Sequence, residues 1–243
     1  MQGRSTHVIT VNGIAVDVTR KRVRNLHLRV CPPHGEVRVT IPFALRDEAV
    51  HSLVIDRFQW IQRQQEKCKD YVPAAPQEMV SGESHYFCGL SYVLNVIHVR
   101  GAGCVVLSEN SMAEKRVLNM YVREKSTTSY RKKLLQAWYK EQMLIVVPPL
   151  LEKWQTVLGV QASDWGVKKM KSKWGSCHTR RKNIWLNLEL IRAAPACLEY
   201  VVVHELVHLL EPSHNKRFKL LMDTYLPDWR LQKAELNKTI PGR

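Results

Sequence analysis

His204, Glu205 and His208 stand in the order His-Glu-x-x-His inside the apolar run Tyr200–Leu210, YVVVHELVHLL. On an α-helix, residues four apart lie about 40° apart in projection, so both imidazoles leave one face and can meet a single ion. Glu205 then falls beside that ion, not on it, where a carboxylate can take a proton from an attacking water. A catalytic zinc bound in this way needs a third protein ligand and one open position. His214 is the nearest candidate. A continuing helix would carry it about 280° round from His204, away from the pair. Pro212 disfavours helical geometry at Glu211 and cannot bond back into the helix, so the chain is expected to turn and bring His214 back. Glu235 is the alternative third ligand, a downstream carboxylate of the kind some zinc hydrolases use. With 10 His in 243 residues, the pattern arises by chance roughly 0.025 times in a chain of this composition. That rarity favours a metal site over two core histidines.

Other residues carry weaker signals. Lys168, Lys169, Lys171, Lys173, Arg180, Arg181 and Lys182 cluster around Trp174 and Trp185, a composition suited either to phosphates and stacked bases or to a solvated hairpin face. Arg20, Lys21, Arg22 and Arg24 read as positive charge guarding a strand edge. Cys177 and His178 are adjacent on an expected strand and so point to opposite faces, which makes them poor catalytic partners. Asn187, inside an apolar strand, is read as a satisfied buried amide, and Met222 as core or as an apolar floor under the metal. Arg217, Tyr225 and Asn215 are candidates for stabilising a transition state, but none has a spacing that assigns it.

These residues need elements to position them. Pro195 can open the helix that carries the two histidines, which is expected over about 195–210, with further helices near 215–225 and 229–238. Val167–Lys173 and Ile184–Leu190 read as a hairpin in front of it, with Ile184–Leu190 the candidate edge strand for an extended peptide. Upstream, a long helical pattern starts at Ser126, and Pro148-Pro149 should kink or end it. A further helical piece follows to about Leu158. Tyr86–Val99, Cys104–Leu107 and Val117–Val122 read as strands, after a proline-rich linker over Val72–Gln77. At the start, alternation about Asn12-Gly13 predicts a hairpin. A second strand pair follows at Leu26–Val30 and Val37–Ile41, then one helix from Arg46 to about Lys69. The expected organisation is 1–72 for the N-terminal hairpins plus helix, 73–125 for a β-rich middle segment, and 126–243 for the catalytic part. No internal repeat is visible.

The composition bounds the class. Lys plus Arg number 37 against 22 Asp plus Glu, a net charge of +15, while 45% of residues are hydrophobic, which suits a folded chain with a basic surface. Residues 164–243 hold 15 basic and 8 acidic residues and are the most basic stretch. The six cysteines are irregularly spaced without a CxxC pair, which argues against zinc ribbons, thioredoxin-like sites and a disulfide framework. No apolar run reaches the roughly 18 residues of a membrane span and Met1–His7 lacks a signal-peptide core, so a cytoplasmic protein without membrane partners is expected.

Lys173-Trp174-Gly175-Ser176-Cys177, the Ile184–Leu188 strand with Asn187, Pro195, Tyr200–His208, His214-Asn215 with Phe218, and Pro227-Asp228-Trp229 together resemble the SprT-like zinc metallopeptidases, most closely their YgjP-like branch. Phe58-Gln59-Trp60-Ile61 extends the likeness into the N-terminal part. The resemblance implies an α+β, zincin-like metal-binding domain, its HExxH helix packed on a small antiparallel sheet and preceded by a β-rich N-terminal region. It also implies a Zn2+ ion held by His204, His208 and His214, with Glu205 as general base. The expected function is zinc-dependent hydrolysis of peptide bonds, with a peptide or protein as substrate. Two other readings use the same residues: a phosphohydrolase acting on nucleoside triphosphates, and a nucleic-acid-associated protein with a structural zinc, each drawing on the basic segment 168–182.

Overall fold

The computed structural model describes residues 5–69, 77–110 and 115–239. Two compact units divide between residues 75 and 76.

In the first unit, β1 (Ser5–Val11) and β2 (Ile14–Lys21) form the expected hairpin. Asn12 (φ 48°) and Gly13 (φ 78°) supply the two positive φ angles of its turn, which Asn and Gly adopt with little steric cost. β3 (His27–Cys31) pairs antiparallel with β4 (Glu36–Pro42), and β4 joins β2 in parallel, giving the order β1-β2-β4-β3. Period-two alternation puts Val16, Val18, Val37, Val39 and Ile41 on one buried face, against Val50, Val54 and Ile61. The single helix expected from Arg46 is two, α1 (Asp47–Asp56) and α2 (Phe58–Lys69), with Arg57 between them at φ −103°, ψ 10°. The break lets the apolar residues of both segments reach one core.

The second unit opens with β5 (Ser84–Phe87), β6 (Leu90–His98), β7 (Cys104–Asn110) and β8 (Lys115–Val122). Their order, β5-β6-β8-β7 with the middle pair parallel, repeats the topology of the first sheet. α3 (Thr128–Leu158) follows, capped by the Thr127 hydroxyl, which accepts from the Tyr130 N–H, and ended by Gly159 at φ 63°. Pro148 and Pro149 lie inside α3 and do not end it. Their missing N–H groups orphan the carbonyls of Leu144 and Ile145, both exposed residues, and water can satisfy carbonyls there.

β9 (Asp164–Lys168), β10 (Gly175–His178) and β11 (Asn183–Asn187) form a three-stranded sheet in the order β10-β11-β9. The hairpin expected between 167–173 and 184–190 is corrected. β10 is the antiparallel partner of β11, and β9 runs parallel on its other side. β11 is therefore the central strand and β10 an edge, so the edge-strand expectation for Ile184–Leu190 is also corrected. Asn187 accounts for the shift, because its side chain ties the backbone of 170–173 into a loop. Its Nδ2 donates to the carbonyls of Met170 (3.1 Å) and Lys173 (2.8 Å), and its Oδ1 accepts from the N–H groups of Met170 and Glu189. The buried amide is fully satisfied, as its reading required.

A 3-10 helix, Leu188–Arg192, leads into α4 (Pro195–Val207), α5 (Lys216–Tyr225) and α6 (Trp229–Thr239). α4 carries the His-Glu-x-x-His residues and is apolar nearly all round. Val202, Val203, Leu206 and Val207 have no exposure, because α3, α6, β10 and β11 pack against the helix. The architecture is α+β, with this helix on the small sheet. One core joins Leu94, Leu118 and Met120 of the four-stranded sheet to α3 and α4. Among the described residues no helix is long and apolar enough to cross a membrane.

Candidate metal centre

Pro195 occupies the first turn of α4, where a missing N–H costs no helical bond. Regular helix ends at Val207, and His208 keeps helical angles (φ −63°, ψ −17°), so it stays one turn beyond His204. Turn bonds carry the chain to Glu211, whose N–H still reaches the Val207 carbonyl at 2.9 Å. The chain then reverses at Pro212-Ser213. Asn215 starts α5 by accepting from the Phe218 N–H at 3.0 Å, which places His214 just outside that helix.

One ring nitrogen each of His204, His208 and His214 lies within 4.8 Å of the others. The Nε2 atoms of His204 and His214 are 2.9 Å apart. Two nitrogens sharing a tetrahedral zinc, each about 2.0–2.1 Å away, would be about 3.3 Å apart. Without an ion, one of these nitrogens must carry a proton and donate to the other; with both unprotonated, a shared cation takes that place. His208 donates its Nδ1–H to the Glu211 carbonyl at 3.1 Å, which leaves its Nε2 lone pair free, the arrangement metal-binding histidines usually show. Burial, with the charges of His208, His214 and Lys233 acting the same way, pushes the His204 pKa down to about 3. Burial also lowers His208. Both effects favour the neutral imidazole that ligates metal. The donor set fits zinc.

The Phe218 ring lies 4.9, 4.7 and 4.8 Å from the ring centroids of His204, His208 and His214. It is the floor under the three imidazoles. Met222, an alternative for that role, is buried without lining the cleft. Glu235 lies on α6, and among the described residues it does not belong to the histidine cluster.

Glu205 is 5% exposed. Burial raises its pKa to about 8, opposed by the Lys173 ammonium. Its carboxylate sits against Gly175 of β10, where a Cβ would come within 2.5 Å of Oε1. Only glycine leaves that space. The cleft around these groups has a volume of ≈ 400 Å3 and is lined by Lys173, Gly175, Ser176, Cys177 and Tyr200 besides the histidines and Glu205. Cys177 has its pKa raised to about 11, by burial and then by Glu205, so the thiol is protonated and a poor nucleophile. Of the candidate transition-state donors, Asn215 spends only its Oδ1 acceptor on the helix cap, and none of Asn215, Arg217 and Tyr225 lines the cleft.

Tyr200, Lys173 and Gly175 went unnoticed as cleft residues in the sequence. For Tyr200 the signal was present, since it precedes His204 by four residues and so shares its helix face. Its ring stacks on Trp229 and meets His204 edge-on. The basic segment is partly engaged. Lys168 lies over the Trp185 ring at 4.2 Å, and Lys169 pairs with Glu189 at 3.6 Å.

Among family models, the one described as "YgjP-like, metallopeptidase domain" matches residues 24–239. No curated protein matches the chain. Among solved structures, similarity is found to the metallopeptidase zymogen of Pyrococcus abyssi abylysin, at 19% identity and a TM-score of 0.37 over 39% of this chain and 94% of that one. The metallopeptidase zymogen of Methanocaldococcus jannaschii jannalysin is similar at 21% identity and a TM-score of 0.34, over 37% of this chain and 92% of that one.

Proposed function

Because the chain belongs to the YgjP-like metallopeptidase family over residues 24–239, we propose that it is a zinc peptidase that cleaves peptide bonds at the cleft between α4 and β10. His204, His208 and His214 hold the zinc, and Glu205 is the general base. The observation that carries this reading is the convergence of three imidazoles within 4.8 Å, with a buried carboxylate lining the same cleft.

A bound zinc supplies Lewis acidity, polarising a scissile carbonyl and acidifying water. Glu205 takes the proton of the attacking water on its carboxylate and passes it to the leaving amine. Gly175 keeps the carboxylate at its place by leaving room for it. His208 is oriented by the Glu211 carbonyl, and Phe218 fixes the planes of all three rings. The outer edge of β10 carries unpaired backbone groups that can bind an extended substrate by strand addition.

The test is incubation of an unfolded protein with the zinc-loaded chain and, at equal metal content, with Glu205→Gln. Fragments from the wild type alone are expected. Substrate left intact by both contradicts the peptidase reading.

A further inference from the structure

The cleft's surroundings are predominantly basic, Glu211 beside His208 being the carboxylate that joins Glu205 there. Lys173 is the cation that lines it, and Glu205, buried, is the carboxylate that does. β10 leaves the cleft into the turn 179–182, which holds Arg180, Arg181 and Lys182, all exposed. Beyond His214, on the other bank, α5 begins with exposed Lys216 and Arg217. Among the described residues, Lys173, Arg180, Arg181, Lys216 and Arg217 form no ion pair. Lys173 acts on Glu205 through space, and none of the five is paired as Lys169, Arg192 and Arg230 are, each with a carboxylate.

The edge strand gives these charges a geometry. A peptide added to β10 runs past Gly175, which touches the Glu205 carboxylate. Lys173 is two residues before Gly175 and Arg180 five after, so at about 3.3 Å per residue the cations stand at most about 7 Å to one side and about 16 Å to the other. A substrate long enough to be held by strand addition meets positive charge at both ends and neutral side chains at its centre.

The same cations could suit a nucleic acid, but Trp185, in the middle of the basic segment, is not free to stack on bases. Trp185 carries Lys168 on one face, and its ring packs so closely on Gly166 that a Cβ there would come within 2.5 Å. Trp174 is half-buried, packing one part against the core and lining the cleft with the other. What remains open beside the cations is the backbone of β10, which recognises an extended polypeptide.

We propose that this site selects peptides with acidic residues flanking a neutral cleavage segment, Lys173 and the Arg180–Arg181 turn being the specificity determinants. The proposal rests on the peptidase reading for its biological meaning, but it can be tested by binding alone. The probes are two labelled peptides of eight residues that share an apolar centre and carry two Glu or two Lys at each end. Each is titrated by fluorescence anisotropy into zinc-loaded Glu205→Gln, which should bind without cutting. The Glu-ended peptide is expected to bind roughly tenfold tighter at low salt, with the gap shrinking as salt rises. Arg180→Glu with Arg181→Glu, in exposed turn positions that should fold normally, is expected to erase or invert the preference. Equal binding of the two peptides overturns the proposal, and so does a preference that survives the charge reversal. A single-stranded oligonucleotide that binds more tightly than the Glu-ended peptide, and loses that affinity in the reversed variant, overturns it in favour of a nucleic-acid surface. A wild type that cuts no peptide fails the peptidase reading separately, whatever the binding result.

Discussion

Three imidazoles and one carboxylate are held at this centre by residues that do no chemistry. Gly175 has the sharpest role, since any side chain there would meet the Glu205 carboxylate at 2.5 Å. Gly175→Ala is predicted to lower kcat/KM by about a hundredfold, the effect of moving a reacting group by about 1 Å, while zinc content is unchanged. An unaltered rate, measured beside metal content on one sample, would contradict the role given to Gly175. The histidines were legible in the sequence because an i, i+4 pair on one helix is a local relation, and because Pro212 marks the reversal before His214. Gly175 was not, because its constraint comes from a residue 30 positions away. His85 makes a different residue-scale prediction. It is 2% exposed, with Nε2 3.4 Å from the Glu83 carboxylate. Burial lowers its pKa, and Glu83 opposes the shift. As pH falls below the ordinary value of about 6.5, the unfolded chain takes up this proton before the folded one does. Stability is therefore complete above that pH and declines below it. Urea midpoints measured between pH 7.5 and 5 should fall with pH, and the slope should flatten in His85→Gln. An identical slope in the variant removes His85 as the cause.

At the scale of elements, the hairpin β5–β6 repeats the turn of β1–β2 with Cys88 (φ 50°) and Gly89 (φ 79°) in place of Asn12 and Gly13. The two turns do different work. The N–H groups of Cys88 and Gly89 donate to the carbonyls of Ile191 and Arg192, so this hairpin tip docks on the 3-10 helix that leads into α4. A Cβ on Gly89 would come within 2.9 Å of Ala194 Cα, whereas one on Gly13 meets nothing within 4 Å. Gly13→Ala should cost about 1–2 kcal/mol, the backbone price of left-handed geometry. Gly89→Ala should cost about 1–3 kcal/mol more from the clash, and should weaken zinc retention by loosening the start of α4. Equal losses in the two variants, measured by chemical denaturation, would show that the docking contributes nothing. The β1–β2 turn was legible because Asn-Gly between alternating residues is a local signal. The pairing of β9 with β11 was not, since parallel partners are joined by a distant connection and nothing local marks their register. That the prolines of α3 do not end it was hidden for a related reason. Local sequence shows two lost hydrogen bonds but not the solvent-exposed face on which they are lost.

Across the whole molecule, the topology β1-β2-β4-β3 recurs as β5-β6-β8-β7, without a sequence repeat that would announce it. Alternation and a turn dipeptide specify such a sheet, and many sequences satisfy both, so the recurrence is visible only in the fold. The α+β class and the helix that carries His204, Glu205 and His208 were legible from periodicity and from the family resemblance, and the family match spans residues 24–239 in both units. The charge of +15 was legible as a number, but its distribution was not. The fold sorts those cations into ones that are paired, one stacked on Trp185, and ones left unpaired around the cleft. The central claim is that three histidines of the second unit form one metal site, and elemental analysis of the purified chain tests it most directly. Inductively coupled plasma mass spectrometry should find one zinc per chain in the wild type and in Glu205→Gln, and a large loss in His204→Ala, His208→Ala and His214→Ala, each verified as folded by circular dichroism. Zinc retained in full by a folded His214→Ala chain would contradict the account.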